Sequence, residues 1–223
     1  LIKNLRMPII NSSIKAKGAI LIAQNRDLVI DDFVLPKELL AGQVLVKLHR
    51  SGICGSQIGE IAGVKGKDNY LPHLLGHEGC GTILQTGPGV KHLSPEDLVV
   101  LHWRKGIGIE SETPKYKWGD QTLNAGWVTT FNTHAIVSEN RCTKIPNETN
   151  YDVAALMGCA VTTGFGVVEN NAKLKIGESV VVFGAGGIGL NIIQACRLVS
   201  SYPIIAVDLV DSRLNLAKSL GAT

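Results

Sequence analysis

Between residues 15 and 137 short apolar runs, among them 18–23, 44–48, 81–84 and 98–101, are separated by Gly, Pro and Asp. Runs of that length bounded by turn residues predict strands, and so a mostly β domain. Beyond Pro146 the texture changes. Tyr151–Leu156 and 161–169 read as helical, and 179–208 reads as strand, helix, strand, a βαβ unit. Val180, Val181, Val182 and Phe183 form a continuous apolar strand of the kind buried on both faces of a parallel sheet. The helix after it carries Ile188, Ile192, Ala195, Cys196 and Val199 at helical spacing, so that face is expected on the sheet. Ile204–Val207 is the next strand. Asp211–Leu220 is a further helix, capped by Asp211, with Leu214, Ala217 and Leu220 along one side. A doubly wound sheet of one βαβ unit leaves edges and a face bare, so a truncated nucleotide domain is expected. Leu1 in place of an initiating Met puts the other end in the same position.

With 45% hydrophobic and 18% charged residues in 223, the chain can fill one large core or two small ones. Lys and Arg total 22 against 19 acids, a net charge of +3, and the basic residues are scattered, which argues against a nucleic-acid partner. No run approaches the apolar length that crosses a bilayer, and residues 1–10 lack the apolar core and cleavage site of a signal peptide. The expectation is a soluble cytoplasmic protein without a membrane partner. Five cysteines, Cys54, Cys80, Cys142, Cys159 and Cys196, are irregularly spaced in a chain too large to need disulfides. Each is by default a reduced, small, buried hydrophobe.

Gly184, Gly186 and Gly189 form G-x-G-x-x-G at the junction of strand and helix, and Gly187 and Ile188 open that helix. The first glycine permits the tight turn, the second lets backbone approach a pyrophosphate, and the third lets helix and strand pack closely. The helix N-terminus then offers free N–H groups and partial positive charge to the phosphates. Asp208 ends the second strand, where a carboxylate can accept hydrogen bonds from ribose hydroxyls and repel a 2′-phosphate, which favours NAD over NADP. The bland alternative is a shaped turn with Asp208 capping a loop. Arg213 either touches the same ribose or is a solvated helix residue.

Cys54 in Ser51-Gly52-Ile53-Cys54-Gly55-Ser56, His77 in Gly76-His77-Glu78-Gly79 and Cys159 in Gly158-Cys159-Ala160 together make two thiolates and an imidazole, donors suited to zinc. Three protein ligands leave a tetrahedral position open, as in catalytic rather than structural sites. The run Gly76-His77-Glu78-Gly79-Cys80-Gly81, continuing to Gly87 and Val90, resembles the zinc signature of the medium-chain alcohol dehydrogenases. So does the stretch from Gly158 through Thr163 and Gly166 into the glycine turn, which looks most like the glutathione-dependent formaldehyde and classical alcohol dehydrogenase branch. The likeness runs from about Ala16 to Thr223.

The resemblance implies a GroES-like catalytic domain over 1–160 and the first βαβ unit of a Rossmann domain over 161–223, with the site in the cleft between them. It implies that Cys54, His77 and Cys159 bind the metal, the known Cys2His set of alcohol dehydrogenases. Glu78 would be a neighbouring carboxylate, occasionally a transient ligand, Ser56 would pass on the alcohol proton, and Thr163 would sit beside the nicotinamide. The implied activity is NAD-dependent hydride transfer to or from a small-molecule alcohol or carbonyl, by a full-length protein that is a homo-oligomer. Rival readings are a zinc-free reductase of quinones or activated double bonds, which would lack the ligands, and a non-catalytic relative, which would have lost ligands or glycines.

Three departures from the family stand out. No cysteine lies in 100–127, where many relatives bind a structural zinc, so packing of Trp103, Tyr116 and Trp118 is expected to hold that loop. Those aromatics could instead wall a substrate pocket, and burial is the preferred reading. Gln57 stands where an acid commonly orients the zinc histidine; it is expected to accept from the imidazole N–H without adding charge, which weakens the ligand slightly. Gly59 stands where one branch has a relay histidine, leaving water, preferred here, or Glu60 for the last leg of the proton path.

Overall fold

The computed structural model describes residues 14–223, so the expectation about residues 1–10 falls outside it. The chain divides into two units, one ending at Gly158 and the other spanning Cys159–Thr223.

The first unit is built from strands β1 (Lys15–Leu21), β2 (Val29–Val34), β3 (Gln43–Ser51), β4 (His73–Leu74), β5 (Glu78–Thr86), β6 (Leu98–His102), β7 (Lys115–Trp118), β8 (Gln121–Asn124), β9 (His134–Ser138) and β10 (Cys142–Lys144). They form a closed barrel, in the order β1-β2-β7-β8-β4, and a five-stranded sheet, in the order β10-β6-β5-β3-β9. Alternation along β3 explains how one strand serves two cores: Leu45 joins Ile20, Phe33, Leu39 and Leu123, whereas Val44 and Val46 join Ile83, Val99 and Leu101. The β3–β5 register shifts at Leu45/Val46 and again at Leu48/Arg50. Such irregularities bend a strand end, and this one leads into Cys54 and helix α1 (Gly55–Ile61).

Helix α2 (Tyr151–Leu156) starts at Asn150, whose side chain accepts from the backbone N–H groups of Asp152 and Val153. Residues 157–160, which the sequence pattern left between two helices, stay helical: a π-helical turn (Met157–Val161) leads into α3 (Thr162–Gly166) and a second π segment (Val167–Ala172). The whole run, Tyr151–Ala172, is 22 residues and contains an 18-residue stretch with a mean hydropathy of 1.4, long and apolar enough to cross a membrane by length and composition. The expectation that no segment reaches that length is thereby corrected. The length came from joining two helices that the sequence pattern had separated. Its first turns are occupied with the first unit's own core, where Ala154 and Ala155 pack on Cys80 and Val100.

The second unit holds β11 (Val180–Phe183), α4 (Gly187–Leu198), β12 (Ile204–Val207) and α5 (Asp211–Leu220), with β11 and β12 parallel. Three details differ from expectation. Val181 and Phe183 are 50% and 81% exposed, and Ile205 and Val207 are exposed beside them, because among the described residues only one face of this two-stranded sheet is covered. The buried stripe of α4 is Gly189, Ile193, Ala195 and Cys196, while Ile188 is exposed. Asp211 is the first helical residue rather than the cap; Val210 holds that position without a side-chain bond, and the acid favours the helix through its dipole alone.

The cysteine-free loop is held by a polar clip rather than by the three aromatics. Glu139, 1% exposed, accepts from Lys91 N (2.7 Å) and His92 N (2.8 Å) on one oxygen and Ile109 N (2.9 Å) on the other. Asn140 donates its backbone N–H to Ile109 O and accepts from Gly106 N. Arg141, also buried, donates to Trp103 O and pairs with Glu110. Tyr116 and Trp118 belong to the barrel instead: Tyr116 stacks on Phe33, and Trp118 donates its indole N–H to Asp31. Trp103 is 46% exposed.

Candidate metal centre

Cys54 sits at the N-cap of α1 with no side-chain capping bond. The turn before it is tied to β5, where Ser51 Oγ donates to Glu78 O (3.1 Å) and Gly52 N donates to the same carbonyl (3.2 Å). A Cβ at Gly52 would lie 2.6 Å from Glu78 Oε1, so the missing side chain makes room for that buried carboxylate. His77 follows Gly76, whose φ of +91° and whose closeness to Thr130 and Phe131 both require glycine. Cys159 follows the last residue of the first unit, and that unit's packing sets its place. A Cβ on Gly158 would collide with Leu101 O and lie 3.0 Å from Glu78 Cα, so only glycine lets the helix rest on β5 and β6. The π turn carrying Cys159 is a feature that recurs at functional sites.

The donor atoms of Cys54, His77 and Cys159 lie within 4.8 Å of one another. Glu78 is not one of this group and lies beside it, in contact with the places of Gly52 and Gly158. Burial pushes the His77 pKa below its usual 6.5, Lys65 adds to that and Glu60 opposes it, so the ring is neutral, as a ligand must be. His77 Nε2 is buried with no hydrogen-bond partner among the described residues. An orphaned imidazole nitrogen grouped with two thiols fits a zinc ion. The other three cysteines behave as small hydrophobes: burial raises the thiol pKa of Cys80, Cys142 and Cys196, and Cys80 donates to Tyr151 O.

Gln57, 6% exposed, corrects one expectation. Its Oε1 accepts from Gly76 N, so its amide Nε2, 3.0 Å from His77 Nδ1, donates to the ring instead of accepting from it. Beside these two residues opens a pocket of about 560 Å³ lined by Glu60, His73, Trp103 and Trp127. Of the three loop aromatics, Trp103 alone lines it. His73 and Asp68, joined by a 2.7 Å bond, were missed in the sequence, where no motif marks them.

In the second unit, Gly184 has φ +91°, and a Cβ on Gly189 would collide with Gly184 O. These are the tight turn and close packing that the sequence suggests. A Cβ on Gly186 or Gly187 would meet only open space, so nothing in the protein itself demands glycine there. Ile188 is the second residue of α4. Asp208 accepts from Ala185 N (2.7 Å) and Val210 N (2.9 Å), and these bonds, with Arg213 3.7 Å away, hold its pKa below 3.8. Asp208 therefore does brace the turn, while a carboxylate keeps lone pairs for further donors. Thr163 is half-buried in α3, where Gly164 permits close approach to Asn191 of α4.

Residues 40–147 match the alcohol dehydrogenase GroES-like domain. The chain is 32% identical to the S-(hydroxymethyl)glutathione dehydrogenase of Haemophilus influenzae over 96% of its own length and 63% of that protein's. Among solved structures it superposes on an alcohol dehydrogenase zinc-binding domain protein from Burkholderia ambifaria, with a TM-score of 0.86, 28% identity and coverage of 95% of this chain and 64% of that one. The benzyl alcohol dehydrogenase of Acinetobacter calcoaceticus follows with a TM-score of 0.82, 28% identity and coverage of 94% and 63%. Fold and sequence agree: residues 40–147 have the alcohol dehydrogenase GroES-like domain, and the chain is similar to zinc-type medium-chain alcohol dehydrogenases. It spans 63% of the length of the curated relatives it matches.

Proposed function

We propose that this chain carries the metal centre and part of the nucleotide site of a zinc-dependent oxidoreductase that transfers a hydride between an alcohol, or the corresponding aldehyde or ketone, and NAD. The observation behind this reading is the grouping of the Cys54, His77 and Cys159 donor atoms within 4.8 Å, with Nε2 of His77 otherwise unsatisfied. When bound, zinc would supply the positive charge that polarises an alcohol or carbonyl oxygen and lowers a hydroxyl pKa, and NAD the hydride acceptor or donor. Cys54, His77 and Cys159 would hold the ion, with Glu78 as the carboxylate beside them.

The remaining roles fall to the chain's own side chains. Ser56, on the first turn of α1, would take the hydroxyl proton and pass it outward through water, Gly59 offering no imidazole for that step. The turn of Gly184, Gly186, Gly187, Ile188 and Gly189 would receive the pyrophosphate on backbone N–H groups. Asp208, with Arg213 beside it, would bind the ribose hydroxyls and select NAD, and Thr163 would flank the nicotinamide. Trp103 and Trp127 would shield the apolar part of the substrate from water. The partner is a small molecule rather than nucleic acid or membrane, in a cytoplasmic homo-oligomer. Metal analysis combined with a screen of primary, secondary, polyol and thiol-adduct alcohols tests this. One zinc per chain and NADH formation from one of these classes are expected; a metal-free protein, or one that reduces only NADP, overturns the proposal.

A further inference from the structure

We propose that Gln57 is a positioning residue that holds His77 in the hydrogen-bonded form least ready to take a metal, and so sets how tightly this chain binds zinc. The inference rests on the metal reading of Cys54, His77 and Cys159. Its starting point is Gly76 N, a backbone N–H that can only donate and that bonds Gln57 Oε1. An amide has its oxygen on one side only, so the NH2 group is what lies 3.0 Å from His77 Nδ1. That group can only donate, and Nδ1 therefore accepts. The single hydrogen of the neutral ring is then on Nε2, the buried nitrogen without a partner.

With Nδ1 engaged by Gln57, Nε2 is the nitrogen left for an ion, and it needs a bare lone pair. Moving its hydrogen to Nδ1 sets two donors face to face, the ring N–H and the Gln57 NH2. Turning the amide over relieves that pair but brings the NH2 against Gly76 N. One donor conflict persists in either arrangement. A carboxylate of the same length has two accepting oxygens, one for Gly76 N–H and one for Nδ1–H, and removes it. Gln57→Glu is therefore a gain-of-binding substitution. Partners of this kind, one bond behind a ligand, alter metal affinity by roughly 10–100-fold.

The test is made on the protein with zinc as the sole probe. Chelator competition should show Gln57→Glu binding zinc about tenfold or more tighter than the unaltered protein. Nitrogen-resolved NMR of His77 without metal should show hydrogen on Nε2 in the unaltered protein and on Nδ1 in the variant, a signature that a purely structural residue would not move. Equal zinc affinity in the two folded proteins, or an Nδ1–H ring in the unaltered one, overturns this inference alone. Failure of both proteins to bind zinc overturns the metal reading, and this inference with it. Should the variant not fold, the spectrum of the unaltered protein decides.

Discussion

Glu139 is the buried carboxylate that ties Ile109 of the cysteine-free loop to Lys91 and His92, and replacing it with Gln measures how much it contributes to holding that loop. The carboxylate takes three backbone N–H groups, from Lys91, His92 and Ile109, while 1% exposed. Glutamine keeps one oxygen for Lys91 and His92 but turns an NH2 toward Ile109 N. The orphaned buried N–H costs about 1–3 kcal/mol, and loss of charge from the other two bonds removes about 1 kcal/mol more, so a net loss of about 2–4 kcal/mol is expected at neutral pH. For a domain of this size that is a fall in Tm of roughly 5–15 °C. The pH dependence supplies a second check. Burial pushes the Glu139 pKa up, but the three N–H groups and His92 outweigh it, and the folded value lies below the usual 4.5. Its stabilisation is therefore complete above that pH and is lost as pH falls through the folded pKa. The three tryptophans, Trp103, Trp118 and Trp127, all lie in the first unit, so their fluorescence reports its unfolding alone. A loss below about 0.5 kcal/mol at neutral pH, or one that persists undiminished below the folded pKa, would refute the reasoning.

Chelation should leave hydrogen exchange of residues 103–112 unchanged, because Glu139, Asn140 and Arg141 hold that loop without metal; accelerated exchange there on metal removal would count against the clip. Gly158→Ala should cost about 1–3 kcal/mol by overpacking against Leu101 O and should lower zinc content through displacement of Cys159, read by elemental analysis on folded protein; full zinc retention contradicts this. Asp208→Ser should narrow the preference for NAD over NADP by roughly tenfold in paired titrations, and an unchanged ratio would leave Asp208 with only its bracing of Ala185 and Val210.

Local signals were the readable ones. The bounds of β11, β12 and α5 follow from apolar runs and turn residues within a few positions of each end, and two of the three fingerprint glycines have steric reasons internal to the turn. On α4 the expected Ile192, Ala195, Cys196 and Val199 do pack in the unit's core, but Ile188 is exposed and Ile193 is fully buried, because Ile188, Leu190, Ile192 and Ile193 leave the apolar register of the first turns ambiguous. Gln57 was misread for another reason. Its orientation is set by Gly76 N, 19 residues on, and residue type alone does not say which end of an amide faces a histidine. The Glu139 clip joins positions 48, 47 and 30 residues apart, beyond the reach of any local pattern. The aromatics Trp103 and Trp118 were a plausible but incorrect substitute, since the chain places one at a pocket and the other against the barrel.

X-ray absorption on the zinc-loaded protein addresses the central claim most directly. It should show one ion per chain with two sulfur neighbours near 2.3 Å, one imidazole nitrogen and one light atom, with a sulfur lost in Cys54→Ser and again in Cys159→Ser. A shell without sulfur, or one that is unchanged in either variant, would contradict the account.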